Sequence, residues 1–225
     1  MKKATVLEQI RTPDGSTLAL VERDGHYMIW VNGRELMSTR HAFSEQQLGV
    51  VGCQPLRGQK GARVLIGGLG LGFTLRAALE SLDDDARVVV AELMPEVVAW
   101  SQNPAYPLAG AALADRRTEV VLGDVAKLIA NSVARFDAIL LDADNETTAM
   151  NTGGNSQLYR SAGLANIARA LRARGTVIYW SVGDDPALVR RLTQAGFAVE
   201  ARRVRKHPTA KTGGYHVLLI ARRVT

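Results

Sequence analysis

Residues 63–92, RVLIGGLGLGFTLRAALESLDDDARVVVAE, constrain the fold more than any other stretch of this chain. Residues 64–66 form a short apolar run of strand type. Gly67, Gly68, Gly70 and Gly72 make a glycine-rich turn, interrupted by Leu69 and Leu71. Residues 73–82 carry the apolar period of a helix, and residues 88–91 are a second apolar run that ends on an acid, Glu92. Strand, glycine turn, helix, strand and acid in that order mark a nucleoside-binding βαβ unit. Glycines let the backbone approach a ligand where a Cβ would collide. The helix start supplies free N–H groups, and Glu92 stands where a carboxylate takes both hydroxyls of a ribose.

The glycine spacing separates two kinds of ligand. Gly68, Gly70 and Gly72 give G-x-G-x-G, whereas the dinucleotide fingerprint needs a glycine at position 73, which is Phe73. The tighter spacing suits S-adenosylmethionine (SAM), which has no pyrophosphate. The bland alternative, a glycine turn without a ligand, weakens once Glu92 follows at the right distance.

A chain of 225 residues with 47% hydrophobic content is long and apolar enough for one α/β domain with a small appendage. The single cysteine, Cys53, excludes an intramolecular disulfide and a cysteine-based zinc site. The opening MKKATVLEQIRT has no apolar h-region, and no run reaches membrane-spanning length, so the cytoplasm is the expected location. The net charge is +6. Arg169, Arg172, Arg174, Arg190 and Arg191 read as solvated helix faces, and only residues 202–211, RRVRKHPTAK, are densely basic.

Residues 16–31 read as two strand-like runs about an Asp24-Gly25 turn, and Asn32-Gly33 offers a second turn before residues 34–38. This part is expected to be a small antiparallel meander. Residues 43–56 have helix period with Ser44 as the expected N-cap, and residues 58–61 form a short linker. After Glu92 come a helix begun by Pro95, a helical turn at 109–114, and a third strand at 118–122 ending in Gly123-Asp124. Val125 then opens a helix, and a fully apolar fourth strand at 136–141 ends in Asp142-Ala143-Asp144. A polar loop at 146–155 is a candidate lid. Residues 156–174 read as one long amphipathic helix stopped by Gly175. A strand at 176–180, a helix at 185–195, and two strands at 197–202 and 216–221 finish the chain.

The expectation is therefore an α/β fold: a doubly wound, seven-stranded SAM-methyltransferase-like (Rossmann-like) core at 58–225, preceded by an N-terminal β-meander and linking helix at 1–57. Ligands in such folds sit at the carboxyl ends of the strands. Gly68, Glu92, Asp124 and Asp142 all lie there, so the expected nucleoside contacts are Gly67, Gly68, Gly70, Gly72, Glu92, Leu93, Gly123, Asp124, Val125 and Asp142. Asp124 suits an adenine amino group, and it equally suits the N-cap of the helix from Val125. Asp142, with Asp144 two residues on, is the expected catalytic carboxylate: it can take a proton from an attacking ammonium or hold an amine by charge. Tyr159 and Trp180 are possible walls of the acceptor pocket, and aromatics near a core are more often packing. His41, His207 and His216 show no metal-ligand spacing, and no metal is expected.

ALVERDGHYMIWVNG, ELMSTRHAFSEQQL, IGGLGLG, VVAELMPEVV, DRRTEVVLGDVAKLI, FDAILLDADN and QLYRSAGLANIARALRARG together resemble the spermidine synthase (aminopropyltransferase) family over nearly the whole chain. The resemblance implies a β-hairpin domain before a methyltransferase-like core, Glu92 on the ribose, Asp124 at the adenine, Asp142 activating the amine, and a homodimer. It also brings in decarboxylated SAM as a possible donor beside SAM. The departures lie at the acceptor end. Leu69 and Leu71 stand in a turn where the family has an acid, and Leu36 stands for a glutamine. Glu45-Gln46-Gln47 replaces an aromatic-polar-acid run, and Ala143-Asp144-Asn145 replaces Ser-Ser-Asp-Pro.

Three functions are compatible with these residues. A SAM-dependent methyltransferase acting on a small, amine-bearing acceptor is favoured, because a diamine site wants several acids and this chain is basic. An aminopropyltransferase with an altered acceptor is the alternative. A non-catalytic nucleoside- or nucleic-acid-binding module using residues 202–211 is the third. Nucleic acid is disfavoured, since no Asn/Asp-Pro-Pro-Tyr motif follows the fourth strand, and no membrane partner is expected.

Overall fold

A computed structural model describes residues 3–12, 14–142, 155–207 and 214–224. The N-terminal part is a four-stranded antiparallel sheet in the order β1 (Thr5–Arg11), β2 (Thr17–Arg23), β3 (His26–Val31) and β4 (Arg34–Ser38). Both turn dipeptides behave as the two-residue rule requires. Asp24 and Gly25 have φ of 54° and 77°, Asn32 and Gly33 49° and 76°. Strand β1 is an addition to the expected meander. TVLEQIR has no clean alternation, and every residue of β1 is exposed or half-exposed. Backbone pairing with β2, interrupted by a register shift between Val6 and Glu8, places it in the sheet.

Helix α1 (Phe43–Cys53) follows β4. Ser44 is not its cap. Ala42 holds that position without a side-chain hydrogen bond, and Ser44 is buried inside the first turn. The helix lies against α2 (Phe73–Ser81) and against the large sheet. A Cβ on Gly49 would come 2.6 Å from the Thr74 carbonyl oxygen, and one on Gly52 would strike the Leu140 side chain.

The large sheet has seven strands: β5 (Arg63–Gly67), β6 (Arg87–Glu92), β7 (Thr118–Leu122), β8 (Phe136–Leu141), β9 (Leu171–Ser181), β10 (Phe197–Arg205) and β11 (Tyr215–Arg223). Their spatial order is β10-β11-β9-β8-β5-β6-β7. Strands β5 to β9 are parallel, and β11 runs antiparallel to both β9 and β10. The last strand thus sits between the two that precede it. The order reverses between β5 and its neighbours β8 and β6, which opens a crevice at their carboxyl ends.

The sheet separates two apolar layers. Leu48, Val64, Ile66, Leu75, Val97, Leu140 and Ile178 pack on one side together with Leu18 and Ile29 of the small sheet. On the other side, Leu65, Ile139 and Leu141 meet α5 (Val125–Ala130), α6 (Ser161–Ala170) and α7 (Pro186–Gln194) through Ile129, Leu164 and Leu188. Two further helices, α3 (Pro95–Gln102) and α4 (Gly110–Leu113), connect β6 to β7.

The long helix expected at 156–174 is not continuous. A 3₁₀ turn covers Asn155–Tyr159, α6 stops at Ala170, and Leu171 already belongs to β9. Leu-Arg-Ala-Arg has good intrinsic helix propensity, and tertiary pairing overrides it. Leu171 is fully buried opposite Phe136. Arg172 donates from Nη1 to buried Asp137 at 2.7 Å, and Arg174 takes a φ of 62° that no helix contains. Among the described residues no helix is long and apolar enough to cross a membrane.

Candidate nucleoside and acceptor site

The glycine turn leaves β5 at the crevice, and the Gly68 N–H donates to the Ala91 carbonyl at 2.9 Å. Two of its glycines are required by this protein's own packing. Gly72 caps α2 with a φ of 79°, and a Cβ there would lie 2.3 Å from the Ala109 Cβ. At Gly70, with φ 51°, a Cβ would lie 2.8 Å from the Met37 sulfur of β4. The small sheet therefore reaches the turn itself, and Met37 forms its near wall.

Glu92 ends β6 with only 7% of its surface exposed. Its Oε2 accepts from the Leu69 N–H at 2.7 Å and its Oε1 from the Met94 N–H at 2.9 Å. Burial pushes its pKa up, and the N–H groups of Met94, Leu69, Leu93 and Gly70 oppose that rise. Only the Leu69 and Met94 N–H groups, one per oxygen, meet full hydrogen-bond geometry, so the carboxylate has acceptor capacity left for a vicinal diol. Beside it the next strand end is Leu122, paired with Glu92. Leu93 is 42% and Leu122 58% exposed, two large apolar side chains open to solvent at adjoining strand ends. Such a pair suits the faces of a flat heterocycle.

Gly123 follows with its N–H on the Glu92 carbonyl at 2.8 Å. Asp124 is the N-cap of α5, accepting from the Ala126 N–H at 2.7 Å. Val125 is buried and packs toward Gly67, where a Cβ would meet its Cγ2 at 3.2 Å. Val125 and Gly67 thus shape the floor between β5 and α5.

Asp142 stands at the end of fully buried β8, half-buried, with its carbonyl 3.9 Å from where a Gly68 Cβ would project. The structure thus gathers the glycine turn, Glu92, Leu93, Gly123, Asp124 and Asp142 at one end of the sheet. Asp144 and most of the candidate lid at 146–155 lie outside the described residues. Tyr159 is buried packing: its ring lies 5.3 Å from that of Tyr179, centroid to centroid, beneath the sheet.

The histidines, far apart in sequence, come together here. His41 Nδ1 lies 3.2 Å from His207 Nε2. His216 Nδ1 lies 2.8 Å from the Ser44 hydroxyl, and its ring meets Trp180 edge-on at 4.3 Å. Sequence spacing carries no sign of this, because β4, α1, β9, β10 and β11 each contribute a part. Ser44 was legible only as a possible cap, and its buried hydroxyl instead fixes an imidazole. Among the described residues no group of three or more histidine, cysteine or acidic side chains is arranged to hold a metal ion.

Burial, with Lys206 and His41 nearby, pushes the His216 pKa down from 6.5 to about 4. The folded ring resists a proton that the unfolded chain accepts, so stability is complete above pH 6.5 and falls as the pH drops towards 4. With allowance for solvent screening of this half-exposed group, the loss is on the order of 1–2 kcal/mol. Urea unfolding at pH 7.5 and 4.5 checks it. His216→Gln should lose less stability than the parent over that interval, and an equal loss in both would place the titrating group elsewhere.

No protein-family model matches the chain, and no curated protein matches it. Solved structures do. Spermidine synthase from Thermotoga maritima superposes with a TM-score of 0.74 at 18% identity, over 96% of this chain and 72% of that one. A spermidine synthase in complex with the transition-state analogue AdoDATO superposes with a TM-score of 0.71 at 18% identity, over 97% and 72%. The fold is that of the spermidine synthases. The likeness takes in the small N-terminal sheet as well as the seven-stranded core. In this chain the small sheet reaches the glycine turn through Met37, which lies against Gly70.

Proposed function

We propose that this chain is a transferase that binds an adenosyl sulfonium donor at the glycine turn and Glu92 and passes its aminopropyl group to a small nucleophile. The observation that carries this reading is the near-complete superposition, N-terminal sheet included, on a spermidine synthase whose ligand is the transition-state analogue AdoDATO. That favours decarboxylated SAM as donor and reverses the preference for methyl transfer reached from sequence.

The bound donor would supply an electrophilic carbon next to a positively charged sulfur. In the transfer, the acceptor nitrogen bonds to that carbon while the carbon–sulfur bond breaks and its electron pair returns to sulfur. Asp142, at the end of β8, receives the proton that the amine must lose. Glu92 and the turn hold the nucleoside so that nitrogen, carbon and sulfur stay in line. Leu93 and Leu122 flank the adenine, and Met37 walls the turn.

A second reading, methyl transfer from SAM, rests on one feature: Leu69 and Leu71 leave the turn without an acid, so nothing there repels the carboxylate of SAM. The test is to incubate the protein with each donor and a panel of amines and identify the nucleoside product by mass. Methylthioadenosine from decarboxylated SAM is the expected result. S-adenosylhomocysteine formed from SAM, with no methylthioadenosine, would reverse the assignment. The working unit is proposed to be a homodimer, which sedimentation velocity checks.

A further inference from the structure

Four described side chains with no part in the transfer steps above converge at the end of the sheet where Asp142 stands. His41 follows β4, Lys206 and His207 follow β10, and His216 is the second residue of β11. Leu141 pairs with Tyr179 and Trp180 with Leu218, so Asp142, Trp180 and the start of β11 stand side by side at one end of the sheet. His216 pairs with Val204, which by strand alternation sets Lys206 on the same face as His216, the face that α1 covers. Lys206 folds back over Gly214, with its Cε 3.0 Å from where a Cβ would project. His41 and His207 close the group from the N-terminal side, ring centroids 4.9 Å apart.

The cluster itself, one ammonium and three imidazoles, carries no carboxylate. Of the nearby acids, Asp24 faces Arg40 at 3.9 Å, Asp184 accepts from Arg203 at 2.8 Å and from the Tyr215 hydroxyl at 3.3 Å, and Asp142 is the acid assigned to the amine. A diamine would bring a second positive charge into this surrounding. A carboxylate or phosphate would instead meet an ammonium and imidazole N–H donors. Strand β11 is also three strand spacings from β5, roughly 14 Å at the usual separation of neighbouring strands. The cluster is therefore on the acceptor's side of Asp142, away from the glycine turn.

We infer that Lys206, His216 and the His41–His207 pair seat an anionic group of the acceptor, so that the substrate is an amine-bearing acid and not a polyamine. This rests on the transfer reading above for the word acceptor; the anion site itself does not. The probes are 4-aminobutyrate and 1,4-diaminobutane, of equal chain length, one ending in a carboxylate and the other in an ammonium. With decarboxylated SAM, the protein should use 4-aminobutyrate better, and Lys206→Ala should lower its kcat/KM about tenfold or more. The same variant should leave 1,4-diaminobutane unchanged or improved. Preference for the diamine, unaffected by Lys206→Ala, would overturn the inference.

A titration without donor separates this from the transfer reading. Inorganic phosphate added to the apoprotein should shift the imidazole NMR signals of His216 and His41 and raise the pKa of His216, and Lys206→Ala should abolish both effects. Unmoved histidine signals would overturn the anion site even if transfer is observed. Signals that move with SAM but with neither phosphate nor 4-aminobutyrate would assign the cluster to the donor's carboxylate and equally overturn it. Calorimetry with methylthioadenosine reports separately on the nucleoside site, whose failure would sink the transfer reading alone.

Discussion

Glu92→Gln lowers nucleoside affinity by roughly one to two orders of magnitude, the worth of a hydrogen bond to a charged group in a largely dry site. The carboxylate accepts one backbone N–H on each oxygen, from Leu69 and from Met94, and both oxygens retain room for a ribose hydroxyl. A glutamine amide keeps one acceptor oxygen and presents N–H to whatever faces the other. Either a backbone N–H or a ribose hydroxyl then loses its partner. Glu92→Ala goes further. It leaves the Leu69 and Met94 N–H groups without acceptors at a position 7% exposed, at about 1–3 kcal/mol for each unsatisfied group. That variant should melt several degrees lower as well as bind poorly. Calorimetry with methylthioadenosine and thermal unfolding of the three proteins separate the two effects; equal affinities would remove Glu92 from the ribose. There is a pH corollary. Burial raises the Glu92 pKa, so binding through the carboxylate should weaken on acidification at a pH above the usual 4.5 of a glutamate.

Asp142→Asn should behave in the opposite way, leaving nucleoside affinity intact and reducing turnover by about 10²- to 10⁴-fold, the range for loss of a positioned general base. Its place explains the split. Asp142 follows β8, one strand from the glycine turn, while Glu92, the proposed ribose ligand, ends β6 on the far side of β5. Asparagine keeps the size and polarity of the side chain and cannot take a proton. The loss should be partly recovered at high pH, where the acceptor amine arrives already deprotonated. A variant that turns over at the parental rate near neutral pH would reduce Asp142 to a loop residue.

The βαβ unit that carries the candidate nucleoside site was legible in the chain because it is local. Strand, turn, helix, strand and acid fall within residues 63–92, and each element dictates the next through backbone geometry. Asp124 was legible as both cap and ligand, and the cap is observed. The histidine cluster was not legible, because it is assembled from residues 166 and 172 positions apart, as in His41 with His207 and Ser44 with His216. The helix expected through Arg174 failed for a related reason. Propensity is a property of the segment, whereas Leu171 answers to Phe136 and Arg172 to Asp137, which are distant in sequence. Strand β1 escaped because its core contacts fall at Leu7 and Ile10, three residues apart beside a register shift, which breaks the period of two.

The position of β11 bears on how the chain acquires its shape during synthesis. Strand β10 has no bond to β9; β11 joins them. Until residues 215–223 have left the ribosome, β10 and α7 have no completed sheet to dock on, and His216 cannot meet Ser44 and Trp180. The glycine turn, Glu92 and Asp142 are all made before β11, whereas the histidine cluster waits for it.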